Sequence, residues 1–273
     1  MVANTGDDAE VYGVHVAPDP DLLTYWLADE IDERGYGLRG DTWEVMDALE
    51  RAGRPTWFRL GDRDLSMCLI RTEELRRGGR LTDAHARVVE AMGVTTRVLP
   101  MTDEPVPTRV LAAGRWWDLQ EFMIVNGGEG PVEDVDLAGV SSAGPTPEVL
   151  DAVASADAVV IGPSNPVISI GPILALPGMH EALASTPAPV VAVSPFVGGE
   201  VLKGPTAAFC EHAGIAQSGQ GIADVYEEVI DGVVADDLVT GLPSLQADTR
   251  MDELATRVEV ARKTLDFAAS LTR

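Results

Sequence analysis

Residues 158–178 read AVVIGPSNPVISIGPILALPG. The first four are a short apolar run, Ala158 to Ile161, and a glycine- and proline-rich loop follows at once. This is how a buried strand ends when its sheet is covered on both faces. The pattern repeats around it. A helix over Pro147 to about Ala154 precedes the strand, and another lies near Gly178 to Ala184. A second buried strand is Val190–Val193, followed by a loop, Ser194 to Pro205, and a helix around Thr206–Ala213. Val233–Ala235 is a further short strand. The last helix runs from Met251 to about Leu271, with Leu254, Val258, Ala261, Leu265 and Ala268 at helical spacing. Alternating helices and continuous Val/Ile strands define an α/β chain with a mostly parallel sheet. In such sheets ligands bind beyond the carboxyl ends of the strands, so the loops there are the places to look.

Toward the N-terminus the α/β rhythm is weaker. Asp41 and Thr42 start a helix through Trp43, Val45, Met46 and Leu49 that ends near Gly53. Thr82 starts another, carrying Val88, Val89 and Met92, that stops at Gly93. Val94–Leu99 reads as a strand ending in Pro100. The aromatic stretch Arg115–Val125 reads as a strand or hairpin arm, and 126–147 as connecting structure with short strands.

Composition narrows the function. The chain has 273 residues, 45% hydrophobic and 23% charged, which excludes intrinsic disorder. Its 44 acids against 20 Lys plus Arg give a net charge of −24. That surface repels phosphate backbones and anionic lipids, so neither nucleic acid nor membrane is an expected partner. There is no apolar run of spanning length and no secretory leader, and Cys68 and Cys210 make no disulfide scaffold. A cytoplasmic protein is expected. Lysine occurs only at 203 and 263. Arginine preference follows from GC-rich codons; the size of the charge excess suits a salt-adapted host better.

Four loops hold chemistry-bearing residues. Gly162–Gly171 offers open backbone plus Ser164, Asn165 and Ser169 as donors to an anion, although two prolines also make a rigid turn. Ser194–Pro205 joins Ser194 to Gly198, Gly199 and Lys203, either a phosphate partner or a solvated lysine. Arg59–Asp64 (RLGDRD) can orient a guanidinium, ligate a hard cation or form a surface ion-pair cluster, and flanking Trp57 and Phe58 favour a buried or cleft position. Asn4–Asp8 (NTGDD) resembles a strand-end turn whose Asp7 and Asp8 can serve Mg²⁺. PDPD (18–21) has the look of a turn former, and Pro100–Glu104 adds acid. His15, His85, His180 and His212 lack metal-ligand spacing, and no serine-hydrolase or zinc-protease motif occurs. Carboxylates, arginines and polar loops fit Mg²⁺-assisted phosphate chemistry.

Several stretches together carry a resemblance: NTGDDAEVYG (4–13), APDPDLLTYWL (17–27), ERGYGLRGDTWEVMDAL (33–49), WFRLGDRDL (57–65), LIRTEELRRG (69–78), LPMTDEPVPTRV (99–110), IGPSNPVISIGPILALPG (161–178) and VVAVSPFVGGEVLKGP (190–205). In that order the chain resembles the 2-phospho-L-lactate transferase family of coenzyme F420 biosynthesis over almost its whole length. The resemblance implies a Rossmann-like three-layer α/β fold, one domain over 1–273, with a helical and hairpin insertion around 20–95 that helps form a deazaflavin pocket. It implies a homodimer using Mg²⁺. The reaction would move a 2-phospholactyl or enolpyruvyl phosphate group from a guanosine diphosphate-linked donor (LPPG or EPPG) to the hydroxyl of the deazaflavin Fo. GMP would be released, and F420-0 or its dehydro form made.

By the same resemblance Asp21 and Arg59 contact Fo. The physical chemistry of the residues adds further expected roles beside it: Trp57, Trp26 or Tyr25 can stack on the flat deazaflavin. Gly162, Ser164, Asn165, Ser169, Ser194 and Lys203 face the donor's phosphates and nucleotide. Asp8 and Asp62 are the candidates to hold Mg²⁺ or take the alcohol proton. Pro20 and Leu22 replace the family's usual Leu and Thr beside Asp21. The family's glycine-rich first βα unit does not precede Asn4 here, since Met1 stands three residues before it. The expectation is that the chain as written has weak or no transferase activity and an extended form has it. Two rival readings are a nucleotide-sugar-binding regulator of the same fold and an inactive truncated paralogue.

Overall fold

A computed structural model describes residues 1–201 and 205–271, so Lys203 lies outside the described residues. The chain forms two compact units: 1–109 with 117–128 and 136–149, and 110–116 with 129–135 and 150–273.

The second unit holds the sheet read from sequence. Strands Val159–Ile161, Val190–Val193, Gly232–Ala235 and Ser244–Gln246 are all parallel, each hydrogen-bonded to the next in that order. The two central strands are buried at every position, as a sheet covered on both faces requires. Val191, Val193 and Val234 pack on Val260 and Ala268 of the helix Leu254–Ser270. Gly232 is needed for that contact: a Cβ there would meet the Phe267 ring at 2.8 Å. The helix begins at Leu254 rather than Met251 because Glu253 and Thr256 form a capping box. Helices Pro147–Ala154 and Thr206–Ala213 fall where the sequence places them, and Met179–Ser185 within a residue. Helices Ile170–Leu174 and Gly219–Val225 and the strand Ser244–Gln246 were not expected. Parallel strands joined by helices make this a Rossmann-like α/β fold.

In the first unit Val2–Ala3 pairs in parallel with Leu99–Pro100. Only these two residues of the expected strand 94–99 and its proline are extended. Ala9–Val11 and Val14–Val16 form a hairpin through Tyr12 and Gly13, both at positive φ. Four helices follow: Pro18–Leu27, Glu44–Arg51, Asp62–Arg76 and Leu81–Ala91. Two correct the sequence reading. PDPD is the first turn of a helix, where proline's missing N–H costs nothing and Asp19 and Asp21 favour the positive end. RLGDRD likewise runs into a helix at Asp62. The stretch 115–125 is a strand only to Asp118 and then the helix Leu119–Ile124. Among the described residues no helix is long and apolar enough to cross a membrane.

Candidate functional site

The first unit encloses an unusual interior of carboxylates. Where strand Val2–Ala3 ends, the Gly6 N–H donates to Asn4 Oδ1 at 2.7 Å and the Asp8 N–H to Thr5 O at 3.2 Å. This tight turn places Asp7 and Asp8. Asn4 Nδ2 donates to Asp19 Oδ2 at 3.1 Å, tying the turn to the helix Pro18–Leu27. The same first turn presents Asp21, 3% exposed, which is ion-paired with fully buried Arg71. Arg71 also donates to the His15 carbonyl at 3.1 Å. His15 Nε2 lies 2.8 Å from Asp8 Oδ2. Tyr25 donates its hydroxyl to Asp64 Oδ1 at 2.8 Å.

Burial dominates the electrostatics. It pushes Asp8 up to about 6 against the opposing hydrogen bond and charge of His15. Asp64 also rises to about 6, from burial and then the Asp21 charge. Asp7 is held well above the usual carboxylate range by burial and by Asp19 and Asp8. Burial raises Asp19 and Asp21 too, opposed by Asn4 and by Arg71 respectively. His85 falls to about 3, from burial and the Arg71 charge, so it is neutral. Among the described residues, Asp7 Oδ1, Asp8 Oδ1 and Asp21 Oδ2 are buried without a hydrogen-bond partner. Orphaned buried carboxylate oxygens are costly in a finished core and are what a ligand or cation would complete.

The expected site residues fall into distinct settings. Asp8 and Asp21 belong to this buried group. Asp62 does not: near the surface, it accepts from Thr42 Oγ1 at 2.5 Å and from the Glu44 and Val45 N–H groups, each at 3.0 Å. It therefore caps helix Glu44–Arg51, and these bonds lower its pKa. Asp41 returns the favour, accepting from the Arg63 and Asp64 N–H groups at 2.8 and 3.1 Å to cap helix Asp62–Arg76. Gly61 is required between them, because a Cβ there would fall inside the Asp41 carboxylate. Arg59 is exposed, bonded to Asp47 at 2.9 Å and lying over the Trp43 ring at 5.4 Å. Trp57 is half-buried, edge-on to Phe58. Tyr25 is buried and Trp26 is 44% exposed.

In the second unit the carboxyl edge of the sheet carries the donor-loop candidates. Gly162 and Ser164 are exposed, and a Cβ on Gly162 would meet open space. Asn165 is turned inward: its Oδ1 accepts from the Val167 and Ile168 N–H groups, and its Nδ2 donates to Thr206 Oγ1 at 3.3 Å. It shapes the loop. Ser169 immediately precedes the helix Ile170–Leu174. Ser194 is buried, its Oγ accepting from the Phe196 N–H at 3.2 Å.

Sequence reasoning missed His15, Thr24, Arg71 and His85. A signal existed: Asp64, Cys68, Arg71 and Thr72 recur at i, i+4, i+7 and i+8, a polar stripe where a helix would ordinarily bury apolar residues.

The description 2-phospho-L-lactate transferase CofD matches residues 1–268. The chain is 38% identical over 238 residues to the 2-phospho-L-lactate transferase of Methanosarcina mazei, covering 87% of this chain and 78% of that one. It is 36% identical to the phosphoenolpyruvate transferase of Kitasatospora aureofaciens, covering 86% and 76%. Among solved structures, protein BH3568 of Bacillus halodurans aligns over 97% of this chain and 90% of its own, with a TM-score of 0.61 and 15% identity, which speaks to the fold alone. The buried aspartates of NTGDD and PDPD thus lie in a chain that belongs to the CofD family of 2-phospho-L-lactate transferases.

Proposed function

We propose that the chain transfers a 2-phospholactyl or enolpyruvyl phosphate group from a guanosine diphosphate-linked donor to the hydroxyl of Fo, giving F420-0 or dehydro-F420-0 and GMP. The observation that carries this reading is the group of buried carboxylates with unpartnered oxygens in the first unit of a transferase-family chain. The acceptor's hydroxyl oxygen bonds to the phosphorus of the phospholactyl group. The bond from that phosphorus to the bridging oxygen breaks, and this oxygen leaves with GMP. The alcohol proton passes to Asp8, whose Oδ1 has no protein donor and whose Oδ2 is held by His15.

A hard cation fits this cluster, since carboxylate oxygens are its preferred ligands and two of them, Asp7 Oδ1 and Asp8 Oδ1, lack partners. Asp7 would hold Mg²⁺, which neutralises charge on the transferring phosphoryl group when bound. Asp62 is occupied as a helix cap, and we assign it no chemical step. Asp21, Arg59 and Trp57 are the acceptor contacts in this reading. Gly162, Ser164 and Ser169 meet the donor's phosphates, with Asn165 and Ser194 shaping the backbone. The enzyme works as a homodimer in the cytoplasm.

Incubating the protein with Fo, Mg²⁺ and each guanylated donor, followed by mass spectrometry, tests this. F420-0 or its dehydro form is expected, and the better donor identifies the transferred unit. Asp8→Asn should lower kcat by roughly 10²–10⁴-fold. No product from either donor, with binding of a uridine nucleotide sugar instead, would overturn the reading.

A further inference from the structure

Arg71 is 0% exposed and the one fully buried cation among the described residues. Its surroundings form a chain. Thr24 donates its hydroxyl to the Pro20 carbonyl at 2.8 Å. The remaining contact of that hydroxyl, 3.2 Å to His85 Nε2, therefore has the histidine as donor. That fixes the neutral tautomer of His85, leaving the Nδ1 lone pair facing Arg71 NH2 at 3.5 Å. Arg71 in turn grips Asp21 Oδ1 and the His15 carbonyl. Asp21 Oδ2 is left buried and without a donor.

We propose that Arg71, braced by His85 and Thr24, is a positioning residue that fixes the Asp21 carboxylate with one oxygen engaged and the other presented to a polar hydrogen of the acceptor. This rests on the reading of Asp21 as an acceptor contact. A cation whose purpose were only to neutralise the buried acids would need no such directed chain; a point charge would serve. The helix places Arg71 seven residues after Asp64, on the same face. The guanidinium's planar fork lets it bond the Asp21 carboxylate and the His15 carbonyl at once.

The test is a double-mutant cycle on the full chain, with Fo affinity read by its fluorescence and steady-state kinetics alongside. Asp21→Asn and Arg71→Gln should each weaken Fo binding by roughly tenfold or more, and the double variant should be little weaker than the poorer single. Arg71→Lys should recover only part of the loss. The KM for Fo should rise far more than kcat falls, with the donor's KM changed less than about twofold. If Arg71→Gln lacks a cooperative melt, His85→Gln and Arg71→Lys run the same cycle. Losses that multiply in the double variant, or an equal rise in the donor's KM, would overturn the positioning role while leaving the transferase reading intact. Failure of the unaltered protein to bind Fo would remove the Asp21 assignment and this role with it.

Discussion

The two units solve the problem of an interior in opposite ways. In the second, the middle of the sheet is Val190–Val193 and Gly232–Ala235, closed by Val260 and Ala268 without a charge among them. In the first, Asp8, Asp21 and Asp64 share the field of one buried guanidinium, Asp7 and Asp19 add further buried acid, and three of the oxygens have no partner. Burial of apolar area stabilises the former at about 25 cal/mol per Å². The latter opposes folding, because like charges are brought together away from water. An interior that costs stability is retained for what it does, which is why the first unit holds the candidate chemistry.

This contrast can be broken or sharpened by substitution. Val234→Asp should have the largest effect, more than about 5 kcal/mol, because the new charge finds no partner; loss of the native far-UV signal would show it. Removing a charge from the first unit should do the reverse. Asp64 has a folded pKa of about 6 against about 3.8 unfolded, so the folded state holds its proton more tightly. Its favourable contribution is complete below pH 3.8 and is lost as pH rises toward 6, on the order of 3 kcal/mol. Asp64→Asn, which can still accept from Tyr25, should raise the melting temperature at pH 7.5 and flatten that decline. A lower melting temperature would mean that the carboxylates are better compensated than the geometry shows. Gly61→Ala should cost about 1–3 kcal/mol in urea unfolding, since it drives a methyl into the Asp41 cap. The smallest effect belongs to the exposed Arg77–Glu73 pair: Arg77→Ala should change stability by less than about 0.5 kcal/mol.

The same contrast explains what could be read from the sequence. Strand Val190–Val193 and helices Pro147–Ala154 and Thr206–Ala213 announce themselves through apolar runs and periodicity, and the structure has them at those bounds. Helix Asp62–Arg76 buries Arg71 and Thr72 beside Cys68, so the apolar signature of its hidden face is interrupted by polar residues. Helix Pro18–Leu27 opens with two prolines and two acids, a composition shared with turns. Asp8 and Asp21 were legible through their motifs. Arg71 and His85 were not, because what marks them is the company they keep after folding, 50 and 61 residues from Asp21 and Thr24. Asp62 looked chemical in its setting of arginine and aspartate, yet its partners are the N–H groups of a helix 17 and 18 residues earlier.

The mutual caps of Asp41 and Asp62 have a practical reach for anyone recombining this chain with its relatives. Each aspartate secures the beginning of the other's helix, and Gly61 keeps the space between them clear. The stretch from Asp41 to Asp64 therefore travels as one block. A crossover inside it pairs one parent's aspartate with the other parent's helix start and leaves the fit to chance. Crossovers on either side inherit both halves of the clasp together.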